Sequence, residues 1–283
     1  MAAFTNQAFL TYNGITTPSN TVVGEIEQEL TLTKTAVRDD YDRQNTVTYA
    51  LSMINSGASD QADLTITDDL GAYTFGAGTL YPLRYTDGSV KYYIGGVLQP
   101  SPTVATTSPL TVTGINIPAG ANAMLIYEAA VTEYASPEQG ANITNTTTVG
   151  DALAGGTSAT ATVVASTAPI LTITKSINPS TLTAGSTVTY TFEIQNTGNA
   201  AATADANAVI TDTFDPKLAD ISVTYNGTAW TAGTEYTYDQ TTGVFATVAG
   251  NIAVPAAVFA QNTQTGTWSS TPAASTLVIT GTV

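Results

Sequence analysis

The stretch Thr46-Val-Thr-Tyr-Ala-Leu-Ser-Met53 alternates with a period of two: Val47, Tyr49, Leu51 and Met53 fall on one side, Thr48 and Ser52 on the other. That period gives an extended chain one apolar and one polar face, the pattern of a strand buried on one side. Thr187–Ile194 repeats it with Val188, Tyr190, Phe192 and Ile194. Around both stretches Thr, Val, Tyr and Ile dominate, and Gly, Asn, Asp and Pro punctuate at short intervals, as in sandwiches of short strands. Asn13-Gly14 and Asn226-Gly227 predict type I′ hairpin turns. No segment carries an amphipathic helical period, so the predicted fold class is all-β.

The two alternating stretches belong to a longer internal repeat. Leu30-Thr-Leu-Thr-Lys34 matches Leu171-Thr-Ile-Thr-Lys175. Tyr49 and Tyr190 lie 15 residues beyond their lysines, and Asn55 and Asn196 lie 21 residues beyond. Ile66-Thr-Asp68 then matches Ile210-Thr-Asp212, and Leu125–Val131 matches Leu277–Val283. Two tandem Ig-like β-sandwich domains are expected, over residues 27–166 and 167–283.

The copies differ at their ends. The first continues past Val131 into Ile143-Thr-Asn145 and on to Val164, and the second has no such continuation. Its counterpart stands at the front of the chain, where Phe4-Thr-Asn6 resembles Ile143-Thr-Asn145. Asn6 precedes Lys34 by 28 residues and Asn145 precedes Lys175 by 30. Residues 1–26 therefore read as the closing hairpin of a domain whose body lies elsewhere, with Phe4, Ala8, Leu10 and Tyr12 as its apolar anchors; the alternative is a loose leader, with the second domain closing early. A sandwich without its last strands exposes an apolar groove and unpaired edge groups. Each end lacks what the other supplies, which is the logic of strand addition. The hairpin should leave its acceptor at the pole opposite its own second domain. Association is then head to tail and open-ended, with self as the partner.

Composition narrows the function classes. The chain has 283 residues with 7 Lys and Arg against 22 Asp and Glu, a net charge of −15. Such a surface repels nucleic acid and anionic membranes, so neither is an expected partner. The absence of Cys and His excludes disulfides, thiolate metal sites and the commonest general base. No phosphate loop is present, and no cofactor, metal or small-molecule substrate is expected. Met1-Ala-Ala-Phe-Thr-Asn6 has neither the basic stretch nor the apolar core of a secretory leader, and no apolar run is long enough to span a bilayer. Trp230 and Trp268 read as core aromatics.

Three polar residues fall on core faces. Lys34 shares the side of Leu30 and Leu32, and Lys175 that of Leu171 and Ile173. Asp68 follows Leu64 and Ile66, and Asp212 follows Ala208 and Ile210; Asn145 falls with Ile143 and Val149, and Asn6 with Phe4 and Leu10. The chain has four lysines, and two occupy equivalent inward positions. A lone charge there costs several kcal/mol, so these groups should meet one another.

The Lys strand, the Val-Thr-Tyr and Asn-x-Gly strand, the Thr-Asp strand end and the closing Asn strand, in that order and twice over, resemble two related bacterial families. One is an Ig-like surface repeat catalogued as a domain of unknown function; the other is the isopeptide-forming fimbrial domains. The resemblance implies that a Lys amine attacks an Asn side-chain amide while a buried acid shuttles protons. By position, Lys34 would join Asn145 within the first domain, assisted by Asp68. Lys175 would join Asn6 of a neighbouring copy, assisted by Asp212. Glu128 cannot be the common acid, because Thr280 stands in its place in the second copy. The residues themselves leave a second reading open, a buried Lys–Asp ion pair with Asn hydrogen-bonded beside it.

The expected function is a structural subunit of a self-assembling extracellular filament on a cell or spore surface. Any amide formation would be self-maturation, once per molecule, so the chain is not expected to be an enzyme. The alternative is a monomeric stalk or ligand-binding adhesin module of a bacterial surface protein.

Overall fold

A computed structural model describes residues 2–26, 29–43, 45–150 and 156–283. Among them the sole helical turn is a 3-10 turn at Ala204–Ala206; the rest is strand and connection, an all-β chain. It forms two compact units. One comprises Met1–Ser136 and Ala141–Ala165, the other Pro137–Gly140 and Ser166–Val283. Among the described residues no helix is long and apolar enough to cross a membrane.

The first unit is a sandwich of two six-stranded sheets. One runs Val97–Leu98, Lys91–Ile94, Asn122–Val131, Thr46–Asn55, Leu30–Ala36, with Leu83–Tyr85 also paired to Asn122–Val131. The other runs Thr103–Thr107, Leu110–Ile117, Gln61–Asp68, Asn142–Gly150, Thr157–Ala165, Asp40–Tyr41. Alternation drives each strand to bury one face: Leu30, Leu32 and Lys34 point inward together, as do Val47, Tyr49, Leu51 and Met53. Between the sheets lie Tyr49, Leu51, Ile66, Val112, Leu125, Tyr127 and Val149, all buried.

The second unit repeats one sheet and truncates the other. Leu171–Asn178, Thr187–Asn196, Ala273–Thr282, Ala219–Tyr225 and Thr228–Ala229 form a five-stranded sheet. Facing it, Thr211–Thr213 pairs with Val244–Thr247, and that strand with Tyr236–Asp239. In the first unit the Asp68 strand has neighbours on both sides, Leu110–Ile117 and Asn142–Gly150. In the second, the Asp212 strand has one neighbour among the described residues, and its other edge is open. Trp230 and Trp268 are only half-buried, contrary to expectation, because both lie on short peripheral strands or their connections; Trp230 stacks on Tyr225 at 4.9 Å between ring centroids.

The N-terminal residues form a hairpin of their own. Ala2–Asn6 pairs with Val22–Ile26, and Phe9–Tyr12 with Ile15–Pro18, around an Asn13-Gly14 turn with positive φ at both positions. Asn6 pairs with Val22 and Phe9 with Pro18, so the return arm carries one extra residue across the gap, a bulge. Ala8 falls in that gap and exchanges backbone and side-chain hydrogen bonds with Ser19. Phe4 lies over Gly24, where a β-carbon would come within 2.3 Å of the ring. Every side chain from Phe4 to Val23 is exposed, Leu10 and Tyr12 by more than 70%. A lone two-stranded hairpin with no apolar face covered is marginal in water.

Asn55 and Asn196 clamp the two units in the same way. Asn55 Nδ2 donates to the carbonyls of Ser59, Ile117 and Pro118, while its Oδ1 accepts from Gly57 N–H. Asn196 Nδ2 donates to Ala200 and Pro255 carbonyls, and its Oδ1 accepts from Ile170 and Gly198. Removing either amide leaves several backbone groups without partners. Asn55→Ala and Asn196→Ala should each lower unfolding stability by about 2–4 kcal/mol. Denaturant titration checks this, and unchanged midpoints would contradict it.

Candidate functional site

Four strands converge on one buried cluster in the first unit. Lys34 comes from Leu30–Ala36, Asp68 from the end of Gln61–Asp68, Tyr127 from Asn122–Val131, and Asn145 and Thr147 from Asn142–Gly150. Antiparallel register sets Thr147 opposite Asp68 and Tyr49 opposite Tyr127. Lys34 Nζ lies 2.6 Å from Asp68 Oδ2, with both side chains at 0% exposure. The same oxygen accepts from Tyr127 O–H at 2.6 Å and from Thr147 Oγ1. Asp68 Oδ1 accepts from Leu70 N–H at 3.1 Å. Asn145 Nδ2 donates to the Tyr127 oxygen at 2.9 Å.

Asn145 Oδ1 and Tyr49 OH are buried and have no hydrogen-bond partner among the described residues. Lys34 and Asn145 share no hydrogen bond; Tyr127 stands between the amide and the acid. The Lys34 ammonium also lies 4.8 Å from the Tyr49 ring centroid, and that ring stacks on Tyr127 at 5.4 Å. Burial holds the Lys34 amine below its ordinary value, with Asp68 opposing that shift. Desolvation pushes the Tyr127 and Tyr49 phenols up. Moving one proton across the Lys34–Asp68 bond neutralises both partners. It yields a neutral amine and an acid able to donate, in one hydrogen-bonded cluster with an amide, and amide transfer calls for those three groups.

The second unit holds an opened version of this cluster. Lys175 Nζ lies 2.5 Å from Asp212 Oδ2, but the lysine side chain is 40% exposed. Its ammonium sits among the Tyr190, Phe214 and Phe192 rings, at 4.7, 5.3 and 5.4 Å. Leu171, Ile173 and Ile177 are half-buried or exposed, although Leu30 and Leu32 on the matching strand are buried. Beside them lies a groove of about 170 Å³ lined by Leu171, Ile173, Ile194, Ala208, Ile210 and Ile252. Asn6 is exposed on the hairpin and pairs across it with Val22.

Sequence reasoning named Lys34 and Asp68, which are in contact, and Asn145, which reaches Asp68 only through the Tyr127 hydroxyl; it also named Lys175 and Asp212, which are in contact. It missed Tyr127 and Thr147, the two hydroxyls bound to Asp68. Parity could have found both: Thr147 lies two residues beyond Asn145, and Tyr127 lies two beyond the buried Leu125. Neither has a polar counterpart, since the repeat puts Ile279 in place of Tyr127 and the hairpin puts Ala8 in place of Thr147.

No family model matches the chain, and no curated protein matches it. Among solved structures, the major pilin subunit of Bacillus cereus aligns over 96% of this chain and 73% of its own, at 14% identity and a TM-score of 0.36. The pilus backbone of Streptococcus pneumoniae aligns over 87% of this chain and 55% of its own, at 10% identity and 0.33. A collagen-binding subdomain of an Enterococcus faecalis surface protein aligns over 49% of this chain and 99% of its own, at 12% identity and 0.30. This chain thus spans about half the length of the pneumococcal protein. At these values the likenesses carry no argument about what the chain binds, makes or joins.

Burial raises Tyr41 from 10.0 to about 12, and Tyr49 and Tyr127 also lie above 10.0. A phenol raised by folding keeps its proton after the unfolded chain has lost its own. Its stabilisation is full below pH 10 and is lost as pH rises through the folded values. Lys34, lowered from 10.5, has the opposite sign: its contribution grows as pH rises and is complete at 10.5, so it offsets none of the further loss above that pH. The fold should therefore fail cooperatively above pH 10.5, with buried phenolates appearing in the same step by ultraviolet absorbance. Gradual ionisation with the fold intact would contradict the burial argument.

Proposed function

We propose that this chain is the structural subunit of an extracellular filament on a cell or spore surface, in which the N-terminal hairpin of one copy completes the second unit of the next. The observation that carries this reading is the open edge of the Asp212 strand beside an exposed apolar strand. The corresponding place in the first unit is filled by Asn142–Gly150 and Thr157–Ala165. The hairpin suits the vacancy in register as well as in sequence. Asn145 pairs with Ala161 and Asn6 with Val22, a separation of 16 residues in both.

Transposing the first unit's register places Ala8 opposite Asp212 and Leu10 opposite Ile210, as Thr147 faces Asp68 and Val149 faces Ile66. Leu10 then enters the groove between Ile173 and Ile252, with Phe4 and Tyr12 on neighbouring ground. Each large side chain so buried contributes about 1.5–3 kcal/mol, and the strand edge gains its backbone partners. The contact is heterologous, so repetition makes a fibre.

Docking also brings Asn6 to Lys175 and Asp212 and excludes water from them. Holding the groups together in a dry site supplies the effective concentration an amide needs. Lys175 and Asn6 would then form an amide between copies, and Lys34 and Asn145 one within the first unit, each releasing one ammonia. Asp212 and Asp68 act as the respective proton carriers. The partner is self; nucleic acid, membranes, small molecules and cofactors have no part.

Boiling SDS gel electrophoresis with intact mass tests the assignment. We expect a ladder at multiples of the chain mass that vanishes in Lys175→Ala and in Asn6→Ala. Removing residues 1–26 should abolish filaments in electron micrographs while both units stay folded. A chain that remains monomeric with its hairpin present would instead fit a stalk or adhesin module.

A further inference from the structure

Tyr127 touches both the acid and the amide nitrogen that must leave, and the Lys–Asp–Asn chemistry assigns it no part. Its O–H donates to Asp68 Oδ2 at 2.6 Å, and its oxygen accepts from Asn145 Nδ2 at 2.9 Å. Tyr127 itself is 0% exposed, so no bulk water can carry a proton between those two groups. Resting on the reading that Lys34 and Asn145 form an amide, we propose that Tyr127 is a catalytic residue of that reaction, relaying a proton from Asp68 to the departing nitrogen of Asn145.

The steps balance. The Lys34 ammonium passes a proton to Asp68, and the neutral Nζ adds to Asn145 Cγ, moving the carbonyl π pair onto Oδ1. Nδ2 thereby becomes tetrahedral and gains a basic lone pair. Asp68 gives its proton to the Tyr127 oxygen as Tyr127 gives its own to Nδ2. The Cγ–Nδ2 bond breaks, ammonia departs and the carbonyl re-forms. The new amide nitrogen returns its surplus proton to Asp68, which ends protonated. Tyr127 is regenerated, and it need never ionise, which matters because burial disfavours its phenolate.

The composite site between copies lacks this relay, because Ile279 stands where Tyr127 would be. The amide inside the first unit should therefore form faster than the one between copies, so that a subunit matures before it is locked into a chain.

The test follows the loss of about 17 Da, one ammonia, by intact mass on freshly expressed full chain. Tyr127→Phe keeps the ring stack and removes only the hydroxyl; it should slow the loss roughly 10²-fold or more. Tyr41→Phe removes a buried phenol elsewhere, bonded to the Ser136 carbonyl, and should match wild type. Equal rates in Tyr127→Phe and wild type would overturn the relay. Should Tyr127→Phe lose its cooperative melt, Ile279→Tyr carries the test. It adds a phenol at the composite site and should accelerate the ladder, and an unchanged ladder would overturn the proposal. A wild-type chain at its unmodified mass removes the reaction and the relay together. Strand donation, judged from filaments and from removal of the hairpin, would survive that result.

Discussion

A β-strand carries hydrogen-bonding groups on both edges, and a strand in the middle of a sandwich needs a neighbour on each side. Among the described residues the Asp68 strand has two neighbours and the Asp212 strand has one. Most differences between the two units descend from that single difference. Where the neighbour is present, Lys34, Asp68 and Asn145 are sealed from water and Leu32 is buried. Where it is absent, the matching lysine reaches solvent and Ile173 is 52% exposed. The side chains on the two lysine strands are nearly the same, so their own chemistry cannot explain the contrast.

The buried cluster shows how such a site is tolerated. Lys34 and Asp68 lose their hydration, and their mutual attraction alone seldom offsets that loss. Tyr127, Thr147 and the Leu70 amide supply further hydrogen bonds to the carboxylate, and the Tyr49 ring lies beneath the ammonium. The Asn145 carbonyl oxygen has no partner within hydrogen-bond geometry among the described residues. An unsatisfied amide oxygen in a dry pocket costs stability.

Period-two alternation was enough to place Lys34, Asp68 and Asn145 on inward faces, because burial of one face fixes parity from end to end of a strand. The repeat showed which strands of the first copy have no counterpart in the second, since Lys34 and Lys175 could be compared position by position. Tyr127 and Thr147 went unseen for a different reason. Threonine and tyrosine are ordinary strand residues, and only three-dimensional register reveals that both hydroxyls meet one carboxylate. The exposure of Lys175 followed from the absent closing strands and not from its own strand, because burial depends on strands distant in sequence. The bulge in the hairpin's return arm leaves no mark in the alternation of Val22 and Val23 either.

Strand donation is the claim on which the account turns, and the absence of cysteine from the chain makes it directly measurable. The transposed register sets Phe9 of one copy opposite Thr211 of the next, at a spacing a disulfide can bridge. Mixing Phe9→Cys subunits with Thr211→Cys subunits under oxidation should give a mixed disulfide dimer on a non-reducing gel. Failure of the pair to cross-link while the same subunits form filaments would contradict the register, and with it the assignment of the hairpin to the open edge of the second unit.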